Sequence, residues 1–247
     1  MKETKPNLES ILAFSVKNIN EEIVIDGIAY VKLPRWIQKR WFKNMYNVND
    51  FAEIGENVQL YPFCTFINMS KIYLKSNIII SEYTWIHGGE RCIIGNYIHI
   101  SNFSSIAGGG LCILEDFVGL SAGTKVITGT ELIHGEGLTN PTIPPEFRAI
   151  KRSYVHLEKH SFMGTNVVIH PGVTVGQGAV VGSNSVVLNN IEPWTINVGS
   201  PAKPIKKRRD NKTINKLEKE IYAKYNIKPL EISEYNFTKE EKIKLPV

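Results

Sequence analysis

The chain has 247 residues, of which 43% are hydrophobic, a composition that is typical of a globular protein and does not favour an intrinsically disordered one. Its 29 Lys and Arg residues against 24 Asp and Glu residues give a net charge of +5, which is too small and too dispersed to indicate nucleic-acid binding. The 3 Cys residues fit neither a paired disulfide framework nor a CxxC metal motif. The N-terminus is polar and no apolar run is long enough to span a membrane, so we expect a cytoplasmic protein in a reducing compartment.

Residues 1–50 differ in composition from the rest of the chain and form the first predicted region. The stretch IVIDGIAYVKL (residues 23–33) predicts two short strands around Asp26-Gly27. The stretch PRWIQKRWFKNMYN (residues 34–47) predicts an amphipathic segment. We expect this region to be a small N-terminal cap that closes the open end of a repeat structure. Because Arg and Lys alternate with Trp, a membrane-surface role is the alternative.

Residues 51–206 repeat a six-residue pattern. Near the C-terminal end, aliphatic residues recur at every sixth position: Ile169, Val175, Val181 and Val187. In the front half, a longer interval of 20 residues, which is three six-residue units plus two extra residues, separates a second set of aliphatic residues: Ile54, Leu74, Ile94 and Leu114. A helix has a period of about 3.6 residues and an ordinary strand alternates, so neither explains this pattern.

A period of six is typical of short, flat strands that wind into a triangular prism. One side chain of each strand points inward and joins a stacked aliphatic column. Gly and Asn near the corners supply turn conformations that branched residues resist, and Cys64, Cys92 and Cys112 fit as small apolar fillers of the columns. No single coil can bury its own apolar face, so the pattern predicts an all-β prism of stacked coils.

The repeat is interrupted once, by residues 127–154, which contain 3 Pro and 3 Gly and have no six-residue phase. A long extruded loop in a compact repeat is usually functional, and a tolerated surface insertion is the alternative. Residues 207–247 form a C-terminal helix and tail. The stretch NKTINKLEKEIYAKY (residues 211–225) places Ile214, Leu217 and Ile221 on one helical face, which we expect to pack on the prism wall.

The six-residue repeats, or hexads, and the closing stretch VLNNIEPWTINVGSPAKPIKKR (residues 187–208) resemble those of the hexapeptide-repeat acyltransferases, which fold as a left-handed parallel β-helix. The resemblance covers roughly residues 50–206. It implies a coenzyme A-dependent acetyltransferase of the sugar O- and N-acetyltransferase subgroup, similar to the galactoside and maltose acetyltransferases. It further implies acetyl-CoA as the co-substrate, no metal ion, and a homotrimer with sites between subunits.

The resemblance also implies which residues bind the cofactor. In related enzymes, the pantetheine arm lies along stacked corners of the last coils and bonds to backbone groups. Aligned hexad by hexad, the corresponding corner residues here are Thr165, Ser183 and Leu188. Lys203 and Lys206 match basic positions that meet the phosphates as point charges. Asn189 stands where relatives carry a further basic residue.

The acceptor side departs from the best-known relatives. Galactoside and maltose acetyltransferases place a catalytic His at the loop entry, as TGHP or TxxHP, whereas this chain has TGTEL, with Thr130 and Glu131 in that place. Two other histidines remain as candidates. His99 aligns, at the first corner of its coil, with an acceptor-lining aromatic residue, and Ser101 aligns with an acceptor-binding Asn. His134 lies within the loop.

The loop stretch GEGLTNPTIPPEFR resembles a subgroup of sugar acyltransferases that has no His in the loop. This favours His99 as the general base, with Glu131 or Glu136 orienting its imidazole. His134 is the second candidate, and a carboxylate or no base at all is the third possibility. Glu131 and Asn140, together with Ser101, are expected to contact the acceptor.

The predicted function is acetyl transfer from acetyl-CoA to a sugar, either a nucleotide-linked amino sugar or a surface-polysaccharide unit such as that of lipopolysaccharide. The sequence leaves open whether the transfer is to oxygen or nitrogen, and whether the group is acetyl or a longer acyl. Two alternatives use the same prism. One is a zinc enzyme of the γ-carbonic anhydrase kind, and the other is a non-catalytic assembly or binding protein.

Overall fold

The structure of this chain, a computed structural model, describes residues 22–25, 28–31, 48–209 and 211–235. The chain divides into two compact units, residues 1–48 and 49–247. In the first unit, β1 (Glu22–Ile25) and β2 (Ile28–Val31) pair antiparallel, as the sequence predicts. The predicted amphipathic segment at residues 34–47 lies outside the described residues, so the role of residues 1–50 as a cap stays a prediction.

The second unit contains three sheets of short strands, each visited once per coil. Sheet I contains β3 (Glu53–Ile54), β6 (Ile72–Leu74), β9 (Arg91–Ile94), β12 (Leu111–Leu114), β17 (Tyr154–Leu157) and β20 (Val173–Val175). Sheet II contains β4 (Val58–Leu60), β7 (Ile78–Ile80), β10 (Ile98–Ile100), β13 (Gly119–Leu120), β18 (Phe162–Met163), β21 (Val180–Val181), β23 (Thr195–Val198) and β24 (Lys203–Lys207). Sheet III contains β5 (Thr65–Ile67), β8 (Trp85–His87), β11 (Ser105–Ala107), β14 (Lys125–Ile127), β19 (Val168–Ile169) and β22 (Val186–Val187).

The inward-facing residues of successive coils lie in register. In sheet I, Leu74 pairs with Ile94, Ile94 with Leu114 and Leu114 with Leu157, and all four side chains are 0% exposed. The hexad residues of the last coils are also fully buried: Ile169, Val175, Val181 and Val187. Burial of each such side chain contributes about 1.5–3 kcal/mol. The predicted columns and the left-handed parallel β-helix are therefore confirmed.

Three corners join the sheets. Corner 1 leads from sheet I to sheet II, corner 2 from sheet II to sheet III, and corner 3 from sheet III back to sheet I. Most corners contain one residue with positive φ, and Gly or Asn occupies it at many of them, as expected. Other corners carry aromatic or imidazole rings at this position, which the sequence reasoning did not anticipate: Phe63, Tyr83, Phe103, Tyr97, Phe117, His160 and Trp194.

The extruded loop leaves the prism at corner 3 after β14 and returns at β17. It begins as an antiparallel hairpin of β15 (Gly129–Glu131) and β16 (Ile150–Arg152), so its base is more regular than predicted. A short 3-10 turn at Pro145–Phe147 lies near its return. Two further 3-10 turns are Val48–Asp50 and Met69–Lys71.

Helix α1 (Asn211–Tyr225) packs on the prism at corner 1, as predicted. Glu218 accepts hydrogen bonds from Lys159 Nζ at 2.8 Å and from His160 Nε2 at 2.7 Å. Leu217, which was expected on the packing face, is 56% exposed. The prediction for Leu217 was wrong, because ion pairs of Glu218 orient this helix.

The segment after α1 crosses the outer face of sheet I and ends in a 3-10 turn at Ile232–Tyr235. Leu230 and Tyr235 pack there against Ile93 and Ile113. No helix among the described residues is long and apolar enough to cross a membrane. The cytoplasmic location inferred from the sequence remains a prediction.

Candidate active site

The predicted cofactor residues Thr165 and Ser183 lie one coil apart at corner 2, and both are exposed. The backbone N–H of Asn184 donates to the Thr165 carbonyl at 2.8 Å, which holds the two coils together. The N–H groups of Thr165 and Ser183 themselves make no hydrogen bond within the described part of the chain. Neighbouring strands lie about 4.8 Å apart, so these two free donors fit successive polar groups of a thin, extended ligand such as the pantetheine arm.

Leu188 lies at a different corner. Strand β22 separates it from Ser183, so it stands at corner 3, where its side chain is 47% exposed. The three predicted corner residues therefore do not share one column. A ligand that contacts Leu188 as well as Ser183 has to cross the outer face of sheet III.

Lys203 and Lys206 belong to β24, which pairs antiparallel with β23 and closes the C-terminal end of sheet II. Both side chains are exposed. Just before β24, the N–H of Ala202 donates to the Val186 carbonyl at 2.8 Å, which places the preceding turn over the end of sheet III. Lys203 pairs with Val198 at the corner 2 end of β23, whereas Lys206 pairs with Ile196 towards corner 1. Both lysines thus lie on the last strand of sheet II, and Lys203 is the nearer of the two to the column of Thr165 and Ser183.

His99 is the central residue of β10, and its side chain is exposed on the outer face of sheet II. The sequence alignment placed it at a corner, and the structure corrects this. Its Nε2 lies 3.2 Å from Ser81 Oγ. Its neighbours in the adjacent strands are Ile79 and Gly119. Gly119 has no side chain, and the Phe162 ring of the next coil lies over it, since a Cβ on Gly119 would stand 2.9 Å from Phe162 Cδ2.

Ser101 lies at corner 2, directly after β10, and its Oγ donates to Asn102 Oδ1 at 3.2 Å. The same corner carries an exposed ladder of rings. Phe103 stacks on Tyr83, and Tyr83 stacks on Phe63, each with ring centroids 5.3 Å apart. Sequence reasoning missed this ladder, although the 20-residue spacing of the three aromatic residues was a readable signal.

Glu131 has a structural partner within the loop hairpin. Its Oε1 accepts a hydrogen bond from Arg148 Nη2, and the two side chains are 21% and 14% exposed. The other carboxylate oxygen and Arg148 Nε are buried and have no hydrogen-bond partner in the described structure. Glu131 therefore stabilises the base of the loop, and it does not orient an imidazole within this chain.

His134, Glu136 and Asn140 are exposed in the distal loop. Glu136 Oε2 accepts a hydrogen bond from the backbone N–H of His134 at 3.1 Å. Asn140 Oδ1 accepts two hydrogen bonds from Thr142, one from its N–H at 2.9 Å and one from its Oγ1 at 2.5 Å. The carboxylate and the amide thus shape local turns, and the His134 imidazole makes no hydrogen bond within the described residues.

A single chain does not bring all predicted residues together. His99 and Ser101 lie on sheet II and corner 2, whereas the loop with His134 leaves from corner 3. His99 likewise has no carboxylate partner within the described residues. The expected imidazole–carboxylate pair is therefore not formed in one copy of the protein.

A zinc site was one alternative interpretation of the histidines. In the described part of the chain, no group of three or more His, Cys, Asp or Glu side chains could hold a metal ion. His87 lies on sheet III and His99 on sheet II, so they belong to different faces of the prism.

Known proteins share both the sequence pattern and the prism. None of the protein-family models matches the chain. The chain is 34% identical over 159 residues to dTDP-4-amino-4,6-dideoxy-D-glucose acyltransferase of Escherichia coli. The aligned region covers 64% of this chain and 83% of that enzyme. The chain is also 42% identical over 74 residues to the putative lipopolysaccharide biosynthesis O-acetyl transferase WbbJ of Escherichia coli. This aligned region covers 30% of this chain and 38% of WbbJ.

The fold has solved counterparts. AntD, an N-acyltransferase from Bacillus cereus solved with dTDP and 3-hydroxybutyryl-CoA, superposes with a TM-score of 0.68 and 30% identity. The superposition covers 77% of this chain and 97% of AntD. The prism, the hexads and these relatives agree, so the chain belongs to the hexapeptide-repeat acyltransferases, the coenzyme A-dependent enzymes built on a left-handed β-helix.

Proposed function

We propose that this protein transfers an acyl group from a coenzyme A thioester to the amino group of a nucleotide-linked 4-amino-4,6-dideoxy sugar. The similarity to the Escherichia coli dTDP-4-amino-4,6-dideoxy-D-glucose acyltransferase over 83% of its length is the observation that carries this proposal. AntD bound to dTDP-4-amino-4,6-dideoxyglucose and coenzyme A supports it further, with 29% identity and a TM-score of 0.67.

Coenzyme A would lie along corner 2 of the last coils. The free N–H groups of Thr165 and Ser183 would hold amide carbonyls of the pantetheine arm, and Lys203 and Lys206 would face its phosphates. When bound, coenzyme A supplies an acyl group activated as a thioester. The short side chains Asn166 and Asn184 next to this column leave it accessible.

Transfer to an amine fits this chain better than transfer to a hydroxyl. The neutral amine attacks the thioester carbonyl, the carbon–nitrogen bond forms, the carbon–sulfur bond breaks, and the nitrogen loses one proton as the thiol is released. A sugar hydroxyl needs a general base to remove its proton as it attacks, whereas a neutral amine can attack unaided. His99 has Ser81 as its partner and no carboxylate in the described structure, and the loop acid Glu131 is paired with Arg148. His99 remains our first candidate to accept the amine proton, and His134 the second.

The complete site would require a second copy of the chain. The acceptor candidates lie on sheet II and corner 2, and the loop extends from corner 3 of the same prism. We therefore infer a homotrimer in which the loop of one copy reaches corner 2 of the next. The division into residues 1–50, 51–206 and 207–247 belongs to the same proposal.

The test measures thiol release with wild-type enzyme and two acyl donors, acetyl-CoA and 3-hydroxybutyryl-CoA. The acceptors are dTDP-4-amino-4,6-dideoxyglucose, the corresponding 4-hydroxy sugar nucleotide and free hexoses. We expect release only with the amino sugar. Release with the 4-hydroxy compound or with a hexose would instead favour acyl transfer to oxygen, the reaction for which the putative O-acetyl transferase WbbJ is named.

The same assay separates the histidines. His99→Ala should lower kcat and shift its pH profile to higher pH, because the amine then has to lose its proton to solvent. His134→Ala is the matched variant, and it should leave kcat within about threefold of wild type, since its imidazole is exposed and unpaired among the described residues. The opposite ranking would make His134 the base.

A further inference from the structure

Corner 3 of the front coils carries a histidine whose tautomer is determined by the backbone. His87 ends β8, and its Nδ1 accepts a hydrogen bond from the N–H of Gly89 at 2.8 Å. In a neutral imidazole the proton then lies on Nε2, so Nε2 is a hydrogen-bond donor. Burial, and secondly the positive charge of Arg152, lower the pKa of His87, which keeps the ring neutral.

Arg152 reaches the same place from above. It ends β16, opposite Gly129 at the base of the loop hairpin. Its side chain crosses Gly109 so closely that a Cβ there would stand 3.2 Å from Arg152 Nε. Gly109 itself has a φ of +75°, which suits Gly. The guanidinium is exposed and makes no ion pair or hydrogen bond in the described part of the chain.

Two glycines in adjacent coils allow close packing at this corner, since a Cβ on Gly89 would stand 2.3 Å from the Gly110 carbonyl oxygen and one on Gly109 would meet Arg152. Gly89 lies directly beneath Gly109, since a Cβ on Gly89 would stand 3.2 Å from the Gly109 Cα. The N–H of Gly109 has no hydrogen-bond partner among the described residues. A cation, a neutral imidazole N–H and a backbone N–H without a partner among the described residues therefore belong to the same corner.

The adjoining outer face of sheet III adds a platform. Trp85 lies beside His87, with ring centroids 5.8 Å apart. Ser105 pairs with Trp85 in the next coil, and Ala107 follows it on the same face. Ser105 and Ala107 are small, so they extend less far from this face than the two rings do.

We propose that Arg152, His87 and the N–H of Gly109 form a phosphate-binding subsite that takes the diphosphate of the acceptor nucleotide. Three donors and no hydrogen-bonded carboxylate among the described residues favour a multivalent oxyanion, and Arg matches phosphate geometry with two parallel N–H groups. The assignment to the acceptor rests on the proposed function.

The position of the subsite distinguishes it from the predicted coenzyme A column. That column lies at corner 2 in the coils of Thr165 and Ser183, whereas His87 lies at corner 3, three or more coils away towards the N-terminal end. At about 4.8 Å per coil, this is a separation of roughly 15 Å or more along the prism. Coenzyme A bound at corner 2 of the same copy therefore has its phosphates elsewhere.

The test measures direct binding to the full chain by isothermal titration calorimetry, with dTDP, inorganic pyrophosphate and coenzyme A as separate probes. Arg152→Gln should raise Kd for dTDP and for pyrophosphate about tenfold to a hundredfold, because one charge-assisted pair of hydrogen bonds is lost. Kd for coenzyme A should stay within about twofold. His87→Phe, which keeps the ring but removes Nε2–H, should weaken the same two probes by a smaller factor.

Glu90→Gln is the matched control, since Glu90 is an exposed acid at the same corner and its removal should not weaken either probe. An unchanged Kd for dTDP in Arg152→Gln would overturn the proposal. A loss confined to coenzyme A would also overturn it, and would assign the subsite to the phosphates of the cofactor. Isothermal titration calorimetry measures binding without turnover. If the affinity for dTDP depended on Arg152 but the acylation assay failed, only the proposed amino-sugar acceptor would be rejected, and the phosphate-binding subsite would stand.

Discussion

Corners 1 and 2 of the prism both carry ladders of stacked rings, yet only one of them is covered. At corner 1, Phe117 lies between Tyr97 and His160, with centroid distances of 5.2 Å and 4.9 Å, and Tyr222 of α1 packs on it. At corner 2, the stacked rings of Phe63, Tyr83 and Phe103 stay 49–55% exposed.

The two corners differ in the residues that border each ladder. At corner 1, buried Asp116 and the ion pair of Glu218 attach α1. At corner 2, the ladder gives way to Asn166 and Asn184, which have the same left-handed backbone, with φ of 58° at each. Corner 1 is therefore covered by the C-terminal segment, whereas corner 2 stays exposed in a single copy of the protein.

The largest expected effect concerns corner 1. Asp116 is 0% exposed and accepts hydrogen bonds from Asn96 N–H at 2.6 Å, from Leu230 N–H at 2.9 Å and from the Tyr222 hydroxyl. Asp116→Ala leaves these donors unsatisfied and should lower the free energy of unfolding by about 3–5 kcal/mol. Urea denaturation measures this change.

The control for that variant is Asp50→Ala, which removes an exposed carboxylate. It should change the free energy of unfolding by less than about 0.5 kcal/mol. A similar loss in both variants would mean that Asp116 is not the anchor of the C-terminal segment.

A second prediction concerns a variant that places an aromatic ring in the part of corner 2 that carries Asn166 and Asn184. Asn184→Phe keeps a backbone conformation that Phe63 and Phe103 adopt, with φ of 63° and 59°, so the fold should persist. The ring would cover the column of Ser183, and KM for acetyl-CoA should rise about tenfold or more. Steady-state kinetics and circular dichroism test both statements.

The reverse exchange, Phe103→Asn, is the matched variant. It should leave KM for acetyl-CoA within about twofold, because Phe103 lies in the front coils. If Asn184→Phe left KM unchanged, the cofactor would not lie along this column.

A smaller effect is expected at the end of the column. Lys203→Ala should raise KM for acetyl-CoA about twofold to fivefold, because an exposed ion pair contributes about 0.2–1 kcal/mol. The effect should disappear in roughly 1 M salt, where such charges are screened. Lys212→Ala, an exposed lysine on α1, should have no effect on KM at either salt concentration.

The smallest effect concerns acid stability at corner 1. Burial opposes ionisation of Glu218, but the hydrogen bonds from Lys159 and His160 outweigh it, and the pKa of Glu218 is lowered from its ordinary value of 4.5. A carboxylate with a lowered folded-state pKa stabilises the fold above its unfolded pKa, and this is lost as pH falls through the folded pKa. Hydrogen exchange of α1 should therefore accelerate below about pH 4.5, and Glu218→Gln should flatten this pH dependence.

Much of the prism could be predicted from the order of the residues. A flat strand of a β-helix has few inward positions, so the recurrence of aliphatic residues identifies the buried ones, as for Ile94 and Val175. The loop was recognisable because it breaks that recurrence. The helix was predicted by its apolar spacing, whereas the exposure of Leu217 depends on an ion pair to a distant coil.

The candidate site was predicted less completely. Residues were assigned to it singly, and the alignment could not show that His99 stands in the middle of a strand or that Glu131 pairs with Arg148. Nor did it indicate that Arg152 crosses Gly109 towards His87. Each of these features depends on the number of residues in a side of the prism before its corner, because that number decides where a side chain lies and which side chains it meets.

The sequence by itself therefore determined the period, the buried columns, the interruption and the family, because each of these is a local pattern repeated along the chain. Only the tertiary structure decided which side chains face one another across coils. Stacking places residues about 20 positions apart in contact, and the two-residue insertions of the front coils set which of them meet. The open corner 2, the anchored corner 1 and the cationic corner 3 all arise from that register.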